Sequence, residues 1–411
     1  MQERSDSFAP LIGSPAFFDD PYPVYDAMRR DAPVYFCTQW DCWLLTRYRD
    51  AAEVLRDTEQ YTNVGRIARF LDTLGETDRA EARPLYEHFS AGIMHSDPPD
   101  HTRIRGLVNK AFTPRAVDQV RDRIQQTVDR LIDAVRSSGR MELIGDLAFP
   151  LPAIVFSEMF GLPAEQRDRF KAWSDRIVEF HGTGRADATV VRRSQEALLA
   201  ARHWMNGLIE DRRQKPRDDV LTGLALAEEH GAGLSDTELM STCITFLVGG
   251  HETTTNLIGN GMLALLSHPE QRALLEDDPD LIDNAVEEIL RYDAPIQRAQ
   301  RLAAKDLELE GHRIARGQLV EPVLGAANRD SEQFDDPNRF DITRPRTRNA
   351  HLAFGTGIHF CAGAALARLE AKIAIPTLLR RLPNVRLDED QPVRHAPNSF
   401  FRGVEALHLR Y

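Results

Sequence analysis

Two stretches of this chain gather residue types that can do redox or acid–base chemistry, and each breaks a local rule of its surroundings. The first reads Phe354-Gly355-Thr356-Gly357-Ile358-His359-Phe360-Cys361-Ala362-Gly363 and leads into Ala364-Ala365-Leu366-Ala367-Arg368-Leu369-Glu370. The second part is helix-forming, with Leu366, Leu369 and Ile373 on one face. Cys361 therefore stands in a glycine-rich loop at a helix N-terminus. There the helix dipole and the end-of-helix N–H groups favour a thiolate over a thiol. The nearby glycines permit backbone angles that aim those N–H groups at sulfur. The plain alternative is one more cysteine beside a glycine turn.

The second stretch lies inside a helix. Ser235-Asp236-Thr237-Glu238 has the form of a capping box, so a helix is expected to begin there. Pro269 lies just beyond its far end, after Ser267. Such a helix is about 50 Å long, enough to cross a whole domain. Its middle nevertheless reads Gly249-Gly250-His251-Glu252-Thr253-Thr254-Thr255. Each glycine costs ~1 kcal/mol relative to alanine in a helix interior, and threonine is a mediocre helix former. The run is either a kink that relieves packing or a site. As a site, the glycines would let a flat ligand approach the backbone while an acid and a hydroxyl are held beside it.

Helical patterns dominate the elements that must position these residues: Asp118 to Arg136, Glu196 to Arg212, Leu234 to Ser267 and Leu281 to Tyr292. Strand-like runs are short, at Cys42 to Thr46, Leu302 to Leu309, Gln318 to Leu324 and Val404 to Leu409. Tyr61 to Asp97 and His181 to Thr189 read as long loops of the kind that form lids or binding elements. No repeat or linker divides the 411 residues, and one domain spanning 1–411 is expected, mainly α with a minor β-rich lobe.

The composition, 42% hydrophobic and 28% charged, is that of an ordered globular chain, and a formal charge of −12 argues against nucleic-acid binding. No apolar stretch is long enough for a signal peptide or a membrane span, so a cytoplasmic location is expected. Four cysteines are too few for a disulfide framework in a chain this size. Cys37, Cys42 and Cys243 read as small core residues.

Taken together, these residues resemble the cytochromes P-450, the haem-thiolate monooxygenases. The cysteine loop resembles their Phe-x-x-Gly-x-His/Arg-x-Cys-x-Gly signature at Phe354, Gly357, His359, Cys361 and Gly363. The interrupted helix resembles their oxygen-binding helix at Gly249, Gly250, Glu252 and Thr253. Glu288-Ile289-Leu290-Arg291 matches their Glu-x-x-Arg, which alone is an ordinary i, i+3 pair. Asp97 to Arg105 and Ala327-Asn328-Arg329-Asp330 resemble segments of the bacterial branch. The likeness spans roughly residues 20 to 410.

The resemblance implies a triangular helical prism with small β-sheets, haem b as cofactor, and O2 as co-substrate. It implies Cys361 as the proximal iron ligand, with Phe354 packed beside it. Glu252 and Thr253 become an acid–alcohol pair that relays protons during oxygen activation. His101, Arg105, Arg301 and His359 match propionate partners, with Arg298 the competitor to Arg301. Glu288 and Arg291 would brace the cysteine loop through Arg339 or Arg344. Candidate substrate contacts are Phe246, Ile296, Gln297, Phe180, Phe400 and Phe401, with Arg66, Arg69 and Arg185 open to a polar substrate.

No flavin or iron–sulfur domain is legible in the chain. NAD(P)H electrons are therefore expected through a separate ferredoxin reductase and ferredoxin, steered by Arg103, Lys110, Arg115 and Arg368. A monomer acting on a small natural-product-like molecule is expected. Oxidative coupling or desaturation on the same haem, and a non-enzymatic haem sensor, are the rival functions. Pro322 is expected to mark a strand edge or bulge, and Glu321 has no assigned role.

Overall fold

A computed structural model describes residues 8–163, 167–182, 187–229, 232–345 and 350–411. The capping box at Ser235 is formed. Ser235 Oγ accepts the Glu238 N–H at 3.3 Å, and the Glu238 carboxylate accepts the Ser235 N–H at 2.8 Å. The 32-residue helix Asp236–Ser267 follows, the longest among the described residues. Its glycine and threonine run does not break it. Flanking turns rich in Leu, Ile and Met supply enough buried apolar surface to outweigh the local propensity loss.

The described chain divides into two compact units. One comprises residues up to Tyr61, Asp122–Pro152 and Glu252–Tyr411; the other comprises Thr62–Arg121 and Ala153–His251. Two of the crossings, at residues 152/153 and 251/252, fall inside the helices Pro150–Met159 and Asp236–Ser267, so no linker composition marks them.

The first unit carries the main sheet, ordered Val34–Cys37, Cys42–Leu45, Leu319–Pro322, Arg301–Ala303, Tyr61–Thr62. Leu319–Pro322 pairs in parallel with Cys42–Leu45 and antiparallel with Arg301–Ala303. The strand containing Pro322 is thus central, which corrects the expectation of an edge. Pro322 is tolerated because it is the last residue of the strand. Its carbonyl accepts from Ala299 N–H, and the next N–H, of Val323, carries the bond to Leu45 O. Cys37 and Cys42 face each other across the hairpin at 1% and 0% exposure, as core residues. Burial pushes both thiols up. The strand-like run Leu302 to Leu309 resolves into Arg301–Ala303 and Leu307–Leu309, separated at Lys305-Asp306.

The second unit is built of helices with one two-stranded ribbon, Glu228–Glu229 with Ala232–Gly233. Cys243 is fully buried here, and burial raises its thiol to about 12. Tyr61 to Asp97, expected as a loop, holds the helices Arg66–Leu71, Glu76–Glu81 and Arg83–Ser90 and a 3-10 turn, Ile93–His95. Apolar pairs four apart, Ile67/Leu71 and Leu85/Phe89, are buried. Glycines at 65 and 75 and Pro84 start the helices rather than break them. His181 to Thr189 was likewise read too loosely: the flanking helices run to Gly182 and from Ala188, the latter capped by Asp187. Arg185 and the His181 side chain lie outside the described residues.

Candidate functional site

The helix Asp236–Ser267 is buried along residues 239–244 and 257–262, yet its middle is accessible along one face. Phe246, Gly249, Glu252, Thr253 and Asn256 keep accessible surface, while His251, Thr254 and Thr255 are 6%, 3% and 4% exposed. This spacing of three and four is one helical face. It separates Glu252 and Thr253 from their polar neighbours, whose side chains turn inward; His251 Nδ1, for instance, lies 3.2 Å from Leu247 O. Gly249 is exposed, and a Cβ built on it would meet nothing within 4 Å. The helix runs on through the interruption and presents open backbone at Gly249, whereas a Cβ at Gly250 would meet the Phe156 ring at 3.4 Å. Asn256, one turn beyond Glu252 and Thr253, was missed in the sequence; its signal was the same helical period.

The cysteine loop is held by backbone bonds. Cys361 N–H donates to Phe354 O at 3.0 Å, Gly355 N–H to Leu352 O at 2.8 Å, and Phe360 N–H to Gly357 O at 3.1 Å. Gly357 takes φ +75°, and a Cβ there would lie 2.8 Å from Leu55 O, so both conformation and space demand glycine. The loop delivers Cys361 three residues before the helix Ala364–Arg381, whose N-cap is Gly363. Cys361 is exposed, unlike Cys37, Cys42 and Cys243. Around it Phe354 and Ile358 are part-exposed and Phe360 is 40% exposed, an apolar surface about a thiol.

A charged network that the sequence did not suggest fixes Phe354. Arg368 stacks on its ring at 4.5 Å and forks onto Glu287 at 2.6 and 2.8 Å, and His351 Nε2 lies 3.1 Å from the same carboxylate. Burial opposes ionisation of Glu287, but hydrogen bonds from Arg368 and His351 outweigh it and hold the carboxyl far below the usual range. Arg368 is thus committed within the protein. Arg103 likewise pairs with Glu238. The expected basic patch is accordingly corrected at these two positions, because both charges are spent on internal carboxylates.

Glu288 and Arg291 are both fully buried. Arg291 binds both carboxylate oxygens of Glu288 at 2.7 and 2.8 Å and donates to the carbonyls of Asn328, Pro337 and Arg339. Arg344 supplies the third charge, Nε to Glu288 Oε2 at 3.1 Å, while Arg339 contributes its carbonyl. Asn328 relays the network to the cysteine loop: its carbonyl accepts from Arg291, and its Oδ1 accepts the Leu352 N–H at 2.6 Å.

His101 and Arg105 lie one turn apart on the helix Asp100–Ala111; His101 is buried, and Arg105 Nε donates to Asn109 at 3.1 Å. Arg301 is 7% exposed in the main sheet and donates to Gln300 O at 2.8 Å. Its competitor Arg298 is taken up by Glu321 and Ser399. His359 closes the 3-10 turn Gly357–His359 in the cysteine loop. Phe246 is part-exposed and stacks on Phe112 at 5.1 Å. Phe180 is 2% exposed, packed between Phe89 and Phe70. Gln297 is also 2% exposed and donates to Ala294 O, so its side chain serves packing where a substrate contact was expected. Ile296 bridges Phe401, and Phe400 and Phe401 form a part-exposed edge-to-face pair at 5.2 Å.

The family profile for cytochrome P450 matches residues 48–403. The chain belongs to the cytochrome P450 family. It is 41% identical over 400 residues to cytochrome P450 107B1 of Saccharopolyspora erythraea, covering 96% of each chain. It is 37% identical over 402 residues to the polyketide biosynthesis cytochrome P450 PksS of Bacillus subtilis, covering 95% of this chain and 96% of that one. Among solved structures it is similar to P450BioI in complex with an acyl carrier protein ligated to hexadec-9Z-enoic acid. The TM-score is 0.88 and the identity 36%, over 97% of this chain and 100% of that one. The fold is that of cytochrome P450, mainly helical with small sheets. Members are monooxygenases that use haem iron, O2 and reducing equivalents from NAD(P)H. The residues present fit that cofactor: an exposed thiol ringed by apolar side chains, and a helix face where glycine leaves the backbone open. Among the described residues no helix is long and apolar enough to cross a membrane.

Proposed function

We propose that this chain inserts one oxygen atom of O2 into a small organic molecule of secondary metabolism. The other oxygen atom leaves as water, with two electrons and two protons supplied. The electrons pass from NAD(P)H through a separate ferredoxin reductase and ferredoxin in the cytoplasm. The observation that carries the reading is the exposed Cys361 in its glycine loop, in a chain whose central helix leaves Glu252 and Thr253 part-exposed beside the buried His251, Thr254 and Thr255.

Haem, when bound, supplies the oxygen chemistry, with Cys361 holding the iron. Gly249 leaves room for a flat group against the helix backbone, while Gly250 beside it packs its own Cα face toward the Phe156 ring, which a Cβ would meet at 3.4 Å. Gly363 caps the helix that follows Cys361. His101, Arg105, Arg301 and His359 bind the propionates. Thr253 offers a hydroxyl that both accepts and donates a proton, and Glu252, the residue before it on the helix, replenishes it. Phe246, Ile296, Phe400 and Phe401 present apolar surface to the substrate. The Glu288–Arg291–Arg344 brace touches no substrate; it holds the loop through Asn328.

The test is turnover of natural-product scaffolds with a ferredoxin system and isotopically labelled O2, after a screen for type I spectral shifts. Product carrying one labelled oxygen supports insertion. A product short of two hydrogens and without label identifies desaturation or coupling. Ligand binding with no product under full electron supply identifies a sensor.

A further inference from the structure

Glu321 and Arg298 form an ion pair with side chains 2% and 4% exposed, outside every role assigned above. Replacing a buried pair with packed apolar residues often leaves stability unchanged or higher, so a pair like this calls for a directional role. Its partners supply one. Arg298 Nε donates to Ser399 O at 3.0 Å and Nη2 to Ser399 Oγ at 2.8 Å. The guanidinium lies 4.0 Å above the Trp40 ring and 6.0 Å from the Phe400 ring. Glu321 is itself pinned, accepting from Gln300 at 2.8 Å through its second oxygen. Arg298 is therefore held by Glu321 and stacked over Trp40, and its remaining bonds go to Ser399 in the turn that carries Phe400 and Phe401.

That turn is held at its other points by backbone bonds and by one side chain of its own, Asn398. Phe400 O accepts from Gln297 N–H at 2.8 Å, Arg402 N–H donates to Pro295 O at 2.8 Å, and Asn398 Oδ1 caps the N–H groups of Phe400 and Phe401. Its base abuts the central helix next to the proposed proton-delivery residues. A Cβ at Gly403 would collide with Asn256, one turn beyond Thr253, and Asn260 Nδ2 donates to Arg402 O at 3.0 Å. Ser399, at the tip, is held by the Arg298 guanidinium through both its carbonyl and its hydroxyl.

We infer that Arg298, oriented by Glu321 and Trp40, is a positioning residue that sets substrate selectivity by holding the Phe400–Phe401 tip through Ser399. The inference rests on the haem-thiolate reading. It assigns to this part of the site an apolar portion of the substrate, because the arginine's charge is already matched by Glu321 and the two phenyl rings keep accessible surface.

The experiment titrates ferric holoenzyme with imidazole and with 1-dodecylimidazole, following the Soret shift as the ring nitrogen binds iron. Only the second probe extends an apolar chain into the substrate space. Arg298→Lys keeps a charge for Glu321 but loses the fork onto Ser399; Ser399→Ala removes one acceptor without touching the core. Losing bonds of this kind corresponds to a change of about fivefold or more in preference for the dodecyl probe. Both variants are expected to show it, with imidazole affinity and the ferrous–CO spectrum unchanged. An unchanged preference in both variants overturns the inference, as does a disturbed ferrous–CO spectrum in Arg298→Lys, which would give the arginine to the haem. A wild-type protein with no thiolate-type spectrum would instead overturn the haem reading beneath it.

Discussion

Replacing Arg291 with alanine removes five hydrogen bonds from a site with no access to water: two to Glu288 and one each to the carbonyls of Asn328, Pro337 and Arg339. Breaking one partner out of a buried ion pair costs about 3–5 kcal/mol. Arg344 stays with Glu288 and reduces that loss. Each carbonyl left without a donor adds about 1 kcal/mol or more, and the contributions are not additive. A net loss of about 5 kcal/mol is the working figure, which is the lower end of a typical protein's whole stability. The assay is equilibrium unfolding of holoenzyme in guanidinium, with far-ultraviolet circular dichroism for the helices and the Soret band for the haem pocket. Arg291→Ala should yield little folded protein or a midpoint shifted by the full amount, and Arg291→Lys should recover only part, since an ammonium cannot fork. The sharper control is Arg291→Met in the presence of Glu288, compared with Arg291→Met plus Glu288→Gln, which removes the negative charge but keeps an acceptor oxygen for Arg344 and the Asp341 N–H. The double variant should remain destabilised by about 3 kcal/mol, because the three carbonyls still lack donors. A double variant as stable as wild type would refute the reasoning, since it would show that the arginine matters only as a counter-charge.

Three further perturbations follow from the site. Thr253→Ala should keep the ferrous–CO spectrum but divert electrons from product to hydrogen peroxide by about tenfold or more, read as product formed per NAD(P)H consumed; unchanged coupling would remove Thr253 from proton delivery. Gly357→Ala should cost about 2–3 kcal/mol, since a left-handed angle and a backbone clash coincide there, whereas Gly355→Ala, with the angle but open space, should cost about 1 kcal/mol; equal losses would contradict the account. Glu287 is held ionised in the folded protein, so its contribution is fully present above the ordinary glutamate pKa of about 4.3 and lost as pH falls toward the depressed folded value. The stability gap between wild type and Glu287→Gln should therefore be constant near neutrality and shrink below that pH, and a gap flat down to pH 3 would contradict the ion-pair assignment.

What was legible in the sequence divides along physical lines. The capping box at Ser235 and the cysteine loop are encoded in neighbouring residues, and both formed as expected. The Glu288–Arg291 pair was visible as an i, i+3 spacing, but its third member was not. Arg339 and Arg344 are close in sequence, and only tertiary geometry turns one side chain to Glu288 and leaves the other to offer its carbonyl. Glu321 had no role for the same reason, because its partner Arg298 lies on a different segment of the sheet region. The Glu287–Arg368–His351 clamp on Phe354 joins three distant stretches and left no local trace. Tyr61 to Asp97 suggests a loop because it is rich in glycine and charge, while its short helices bury at most a pair of apolar residues each and Glu76–Glu81 buries none. The edge reading of Pro322 failed because a proline at a strand's last residue removes no ladder bond that the neighbour does not supply.

The measurement that bears most directly on the whole account is the carbon monoxide difference spectrum of reduced, purified holoenzyme, taken for wild type and for Cys361→Ala. Wild type should show the strongly red-shifted Soret band of a thiolate-ligated haem, and the variant should lose it while its far-ultraviolet spectrum stays helical. A variant that keeps the band, or a wild type whose iron is held by nitrogen or oxygen when fully active, would contradict the assignment of Cys361.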